Sequence, residues 1–297
     1  MTTGSISIRP LTTIEEAQIC EELQRQAWGM SELEIVPAPL LLTAAKNEGL
    51  LLGAFDGGRM IGFTFGFLGA DPAKRRGLPV RNRIKLCSHM TAVLPEYQNR
   101  GIGYSLKLAQ REHTLDKSVN LITWTYDPLE ARNAMLNIAK LGAVCHTYLR
   151  NVYGTMNDSL NAGLPTDRFE VEWWIASQRV KVRLSRQRSR LKLDLAISGG
   201  AQVLSPAAFA SDGTPWPSAW QQPTSLMALV EIPANFQALK RKDIALAQAW
   251  RQHTRELFEA CFAAGYIVTD FLYETAGWPR SFYLLTRQED PHAVDSL

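Results

Sequence analysis

The run VLPEYQNRGIGYSLK, Val93 to Lys107, sets an apolar strand end, a proline, an Arg-Gly-Ile-Gly turn and a helix start side by side. Glycine carries no steric penalty where a chain turns sharply and lets another group approach its backbone. A strand that runs through Gln98, Asn99, Arg100, Gly101, Ile102 and Gly103 into a helix presents unpaired N–H groups, with the positive end of the helix dipole behind them. That arrangement binds phosphate. Each dipole interaction is worth only about 0.3 to 2 kcal/mol. Affinity must therefore come from several N–H groups together, reinforced by the charge of Arg100, and a pyrophosphate suits such a cradle. The spacing departs from both G-x-x-x-x-G-K-[ST] and G-x-G-x-x-G, which disfavours ATP and NAD.

The residues around the turn read as an α/β chain. Ser5 to Leu11 alternates like a strand, and Thr13 to Trp28 carries helical periodicity with Glu15 and Glu16 in its first turn. LLLGAFD, Gly57-Gly58 and RMIGFTFGFLGA read as a hairpin, and IKLCSHMTAVLP as the strand entering the glycine turn. The helix that follows is expected to bury Ile102, Leu106, Ala109 and His113. Next come NLITWTYD as a strand, PLEARNAMLNIAKLGA as a helix, and VCHTYLRNVYG and DRFEVEWWIAS as strands. This order predicts a mixed antiparallel and parallel sheet flanked by helices.

Residues 1–178 are read as one domain and the basic, then Gly- and Pro-rich, segment 179–224 as a linker with loops. Residues 225–297 are read as a smaller, degenerate half-domain. VEIP at Val230 to Pro233 echoes AVLP at Ala92 to Pro95, and a turn without glycines, a long helix and a strand follow it.

With 297 residues, 46% hydrophobic and 21% charged, the chain has material for a packed core. A formal charge of +3 gives no global field toward a polyanion. The four cysteines, Cys20, Cys87, Cys145 and Cys261, form no CxxC pair, which argues against a zinc site or a disulfide framework. No metal is expected. The N-terminal MTTGSISIRPL lacks a signal signature, no run has the roughly 18 apolar residues of a membrane span, and a cytoplasmic location without a membrane partner is expected.

The six residues Gln98 to Gly103, preceded by Val93-Leu94-Pro95, resemble the Q/R-x-x-G-x-G/A motif and V-x-P strand end of the GNAT superfamily of acyl-CoA-dependent N-acyltransferases. KLGA at Lys140 to Ala143 fits it too, and the resemblance covers roughly the first three fifths of the chain. SHMTAVLPEYQNRGIG, ITWTYDPLEARNAMLNIAKLGA and GLPTDRFEVEWW further resemble a less characterised branch that carries a C-terminal extension. The resemblance implies a GNAT-like fold and acetyl-CoA or another acyl-CoA as donor, its pyrophosphate on the glycine turn through to Tyr104. The pantetheine arm would lie along Ala92, Val93 and Leu94, with the N–H near Val93 holding the oxyanion. Asn133 and Asn137 are candidates for the pantetheine amides, with capping or core polar bonding as the equal alternative. A primary amine of a small molecule or amino acid would attack directly.

That attack needs a base, and the departing thiolate an acid. Many relatives carry a glutamate on this strand, but IKLCSHMT has no carboxylate. His89 is the substitute, its ordinary pKa of about 6.5 lying near neutrality. Strand alternation puts it on one face with Cys87 and Thr91; a histidine bonded within the sheet is the equal alternative. Relatives often place a tyrosine where this chain has Ile138. Tyr126, Tyr148 and Tyr153 are candidate acids, with ordinary half-buried strand tyrosines as the competing account, and Tyr153 is carried forward with His89. Of Trp173 and Trp174, one belongs to the core and the other to the acceptor cleft, and Asp167-Arg168 reads as an ion pair.

Two alternatives stand beside acyl transfer. One is a CoA-binding module without turnover. The other is nucleic-acid binding by Arg179, Lys181, Arg183, Arg186, Arg188, Arg190 and Lys192, against which stand the interleaved Val180, Val182 and Leu184 and the lack of aromatic residues for stacking.

Overall fold

A computed structural model describes residues 6–71, 83–154, 156, 158, 160–185 and 189–287. The chain divides into two compact units, residues 1–124 with 158–160, and residues 125–157 with 161–297. The division falls inside a strand, well before the boundary expected near 178.

In the first unit, β1 (Ile6–Pro10), β2 (Leu50–Asp56), β3 (Arg59–Ala70) and β4 (Ile84–Val93) pair antiparallel in chain order. β5 (Leu121–Tyr126) joins β4 in parallel, and the chain passes into the second unit within β5. The β2–β3 hairpin turns at Gly57, whose φ of 60° the hairpin geometry needs. Helix α1 (Ile14–Trp28) starts on a capping box, with Thr13 accepting from the Glu16 N–H and the Glu16 carboxylate reaching back, and it ends at Gly29. Helix α2 (Ala38–Lys46) opens after Pro37. Leu23, Leu41, Phe55, Ile61, Phe63, Phe65 and Leu106 lie in one core.

Helix α3 (Ile102–Asp116) buries Ile102, Leu106, Lys107, Gln110 and Thr114. The expected face was Ile102, Leu106, Ala109 and His113, and the last two are only half-buried. The helix is rotated so that a polar stripe, bonded to the sheet, takes their place.

In the second unit, helix α4 (Ala131–Ala134) widens into a π-helix over Met135–Lys140. The sheet here is made of β6 (Val144–Leu149), β7 (Arg168–Trp174), β8 (Gln202–Ser205), β11 (Met227–Pro233), β12 (Tyr266–Glu274) and β13 (Arg280–Arg287), while β9 (Ala208–Phe209) and β10 (Pro215–Trp216) pair separately. The order is β7-β6-β12-β13-β11-β8, antiparallel except for β11 and β8. Helices α5 (Gln178–Leu184), α6 (Leu193–Ser198), α7 (Phe236–Lys242) and α8 (Ile244–Ala263) complete it.

Two expectations change here. The segment 179–224 carries α6, β8 and most of α5, so it is structured rather than a bare linker. The echo of the first half keeps its strand, helix and strand, but β13 returns between β11 and β12, whereas β4 and β5 are direct neighbours.

The basic stretch is partly consumed inside this unit. Arg179 donates to the Gly142 and Thr269 carbonyls, and Arg183 pairs with Asp270 at 3.0 Å. Lys181, Arg190 and Lys192 are exposed, and Arg186 and Arg188 lie outside the described residues. Two arginines committed to internal carbonyls and a carboxylate weaken the nucleic-acid alternative.

Asp167 does not form the expected pair with Arg168. Fully buried, it accepts from Arg255 of α8 at 2.8 and 3.0 Å, from the Tyr148 hydroxyl at 2.8 Å and from the Asn151 N–H at 2.9 Å. Arg168 donates instead to the Asp167 carbonyl and, at 2.5 Å, to Asn161. Burial pushes the Asp167 pKa up, but these donors outweigh it and hold it below the usual 3.8. Its stabilising effect is therefore complete above the unfolded pKa and fades as pH falls through the lower folded value. Asp167→Asn, which leaves Arg255 without its carboxylate, is expected to destabilise the fold by about 3 kcal/mol in urea unfolding at pH 7. The loss should shrink as the wild type is measured at progressively lower pH.

Candidate functional site

The site begins with a break in β4. Its register against β3 slips between Phe65 and Gly66: Met90 stands opposite Phe65 and Ser88 opposite Gly66, leaving His89 as the extra residue of a β-bulge. Gly66 is required there, since a Cβ would stand 2.9 Å from the Cys87 carbonyl oxygen. On its other side β4 pairs with β5 at Leu86–Ile122 and Cys87–Thr123. Among the described residues, the β5-facing edge of β4 from Ser88 to Val93 has no strand partner. Such an edge offers N–H and C=O groups to an extended ligand.

The bulge also corrects the expected faces. Ser88 and Thr91 fall together on the α3 side, where Thr91 Oγ1 lies 2.9 Å from Thr64 Oγ1 and Lys107 Nζ donates to Ser88 Oγ at 2.7 Å. Cys87 and Met90 fall on the other side, so Thr91 does not share a face with Cys87. The His89 ring packs edge-on to Phe65 and tilted against Phe67, both centroids 6.0 Å away. Although His89 is exposed overall, the partial burial of its ring lowers its pKa below the ordinary 6.5, which favours the neutral imidazole at pH 7.

The turn after β4 is held by its own bonds. The Leu94 N–H donates to Ile61 O at 2.9 Å, and Pro95–Tyr97 forms one 3₁₀ turn. Gln98 donates its N–H to Pro95 O and its side-chain amide to Val93 O, each at 3.2 Å, so its polar groups brace the turn. Asn99 and Gly101 have φ of 64° and 82°, in the left-handed region where asparagine and glycine are the tolerated residues. Gly101 is the N-cap of α3 and has no side chain to close it.

The first bond into the helix runs from Ser105 N to Gly101 O, at 3.0 Å. The N–H groups of Ile102, Gly103 and Tyr104 have no acceptor within the helix. A Cβ on Gly101 or Gly103 would meet nothing within 4 Å, so there is open space beside both glycines of the turn. Arg100 rests over the Tyr97 ring at 4.9 Å, and the Tyr97 hydroxyl is anchored on Asp56 at 3.1 Å. Ala92 and Leu94 bury their side chains, and Val93 is half-buried.

The remaining predicted residues belong to the second unit. Asn133 is exposed on α4, and Asn137 is buried in the π-helix. Tyr153 sits in the loop after β6 rather than in a strand; it is exposed, and its hydroxyl lies 2.7 Å from Thr125 Oγ1. The other tyrosine candidates are engaged. Tyr126 is buried against the Tyr283 hydroxyl, and Tyr148 donates to Asp167. Burial pushes both pKa values well up, which makes them poor acids. Trp173 is wholly buried and donates to Leu141 O, whereas Trp174 is half-buried. Cys20 and Cys261 are buried thiols pushed up to about 12, unsuited to nucleophilic work.

No family model matches the sequence, and no curated protein matches it. Solved structures do. A ribosomal-protein-S18-alanine N-acetyltransferase from Escherichia coli is similar at 16% identity and a TM-score of 0.43, over 58% of this chain and 94% of that one. Arabidopsis thaliana NAA60, in complex with a bisubstrate analogue, is similar at 13% and 0.45, over 57% and 99%. An IAA acetyltransferase from Bacillus cereus is similar at 17% and 0.40, over 57% and 98%. Overlap at this level defines neither an activity nor a substrate.

The imidazole of His89 is expected to titrate below pH 6.5 when followed by NMR. Phe65→Ala, which rehydrates the ring, should move the midpoint up toward that value.

Proposed function

We propose that the chain is an acyl-CoA-dependent N-acyltransferase of GNAT type, working by direct attack of a primary amine on the thioester. The observation that supports this most strongly is a sequence of three features along one stretch of backbone. β4 parts from β5 after Cys87, its edge stays unpaired to Val93, and the uncapped start of α3 follows at Gly101. An extended pantetheine arm matches the unpaired edge, and a pyrophosphate matches the amides of Ile102, Gly103 and Tyr104, with Arg100 beside them.

In this reading the amine arrives as an ammonium and gives a proton to the neutral His89 at the bulge. Its lone pair attacks the thioester carbonyl, whose oxygen is held by N–H groups of the β4 edge beside the bulge. The tetrahedral intermediate collapses with loss of the CoA thiolate. The acceptor is a primary amine of a small molecule or amino acid.

Calorimetry with CoA tests the cradle. Gly101→Asp, which adds bulk and a like charge, should abolish detectable binding while circular dichroism stays unchanged. Unaltered affinity contradicts the site. Titration of released thiol from acetyl-CoA with a panel of amines tests the chemistry; CoA binding without thiol release from any amine would describe a silent CoA-binding module instead.

A neutral His89 base makes kcat/KM rise with pH through a midpoint below 6.5. In His89→Gln that limb should vanish and kcat fall about 10²-fold, with CoA affinity unchanged.

A further inference from the structure

We propose that Ser88 delivers the proton that the departing CoA thiolate needs, and that Lys107 stands behind it as the positioning residue that replenishes that proton. The proposal rests on the acyl-transfer reading above.

Lys107 is 5% exposed, on the buried side of α3. Its Nζ donates to Ser88 Oγ at 2.7 Å and to Gln110 Oε1 at 3.2 Å, and it lies 3.9 Å from the centroid of the Trp124 ring. Among the described residues no carboxylate pairs with it. An ammonium buried without a counter-ion is not explained by stability, because an apolar side chain of similar volume does better in such a place.

The position gives it another use. Ser88 is the first β4 residue beyond the last β4–β5 partner pair, Cys87–Thr123, and Trp124 is the first on β5. Lys107 therefore sits at the point of the fork, where the thioester of a donor lying along the β4 edge would end. Because the Ser88 oxygen accepts from Lys107, its own hydroxyl proton remains to be donated, and no described residue takes it.

Burial alone lowers the Lys107 pKa, to about 7. The titratable groups on the surrounding elements, Lys85, Cys87 and His89 on β4, Arg59 on β3, and Tyr104 and Arg111 on α3, contribute nothing to that shift. Such an ammonium is a stronger acid than an ordinary thiol at about 8.5. Proton transfer toward sulfur is downhill.

The C–S bond of the tetrahedral intermediate breaks and its electron pair stays on sulfur. The Ser88 hydroxyl proton moves to that sulfur, and a Lys107 Nζ proton moves to the Ser88 oxygen. The products are the amide, CoA thiol, an intact serine and a neutral lysine, which solvent then reprotonates. The proton taken from the attacking ammonium by His89 returns to solvent, and the second proton that the nitrogen sheds as the intermediate collapses to the neutral amide goes to solvent as well. This fills the place of the acid that the sequence does not supply at Ile138.

The full-length protein labelled with ¹³C-lysine permits a test without knowledge of the acceptor. The Lys107 Nζ titration is followed by NMR with CoA and with desulfo-CoA, in wild type, Ser88→Ala and Ser88→Thr. The expected result is a higher midpoint with CoA than with desulfo-CoA in wild type, lost in Ser88→Ala and recovered in Ser88→Thr. Identical midpoints with the two ligands, both bound, overturn the relay and leave the acyl-transfer reading standing. Failure of wild type to bind CoA overturns both. In turnover with an amine that supports thiol release, Ser88→Ala should lower kcat about 10²-fold and remove the fall in rate on the alkaline side of pH 7, with CoA affinity within about twofold. A kcat loss that is the same at every pH contradicts the relay.

Discussion

Within one residue of each other, β4 gains an extra residue at His89 and loses its β5 partner after Cys87. A strand in the middle of a sheet normally has both edges saturated, because each buried N–H and C=O needs a partner. Here the edge from Ser88 to Val93 is left to be satisfied by something extended from outside the β5 ladder. The bulge turns Ser88 and Thr91 toward α3 and His89 toward Phe65 and Phe67, so it also decides which side chains stand by the fork. The glycine turn is the continuation of that arrangement, since the chain leaves β4, is braced by Gln98 and reaches an uncapped helix start at Gly101.

The electrostatics of the first unit fit this arrangement. His89 and Lys107 are both driven toward their neutral forms by desolvation, with midpoints below 6.5 and about 7. One therefore accepts a proton at neutrality and the other can give one up, with no carboxylate needed on β4. Arg100 rests on the Tyr97 face, with Asp56 beyond it, and the nearby Glu96 carboxylate feels its charge.

Much of this was legible in the residues. Gly57-Gly58 marked the β2–β3 hairpin, Thr13 with Glu16 marked the start of α1, and Gly101 and Gly103 marked the turn, because each has a local backbone reason. The bulge was not legible: IKLCSHMTAV alternates as an ordinary strand, and only the slip against Phe65 and Gly66 shows that Thr91 changes face. Lys107 was hidden because periodicity weighs apolar residues, and a lysine beside Leu106 reads as solvent-facing; what turns it inward is its bond from α3 to Ser88 on β4. Helix α2, opened by Pro37 and Pro39, gave too short a pattern to assign, and β13 was missed because its pairing between β11 and β12 is a tertiary choice.

The most direct test of the account is an amide-resolved NMR titration of the ¹⁵N-labelled protein with CoA. The account predicts that the N–H signals of Ile102, Gly103 and Tyr104 move downfield together and saturate with the same midpoint as those of the β4 edge from Ser88 to Val93. Saturable CoA binding that leaves the start of α3 unshifted, with the changes elsewhere in the chain, would contradict it.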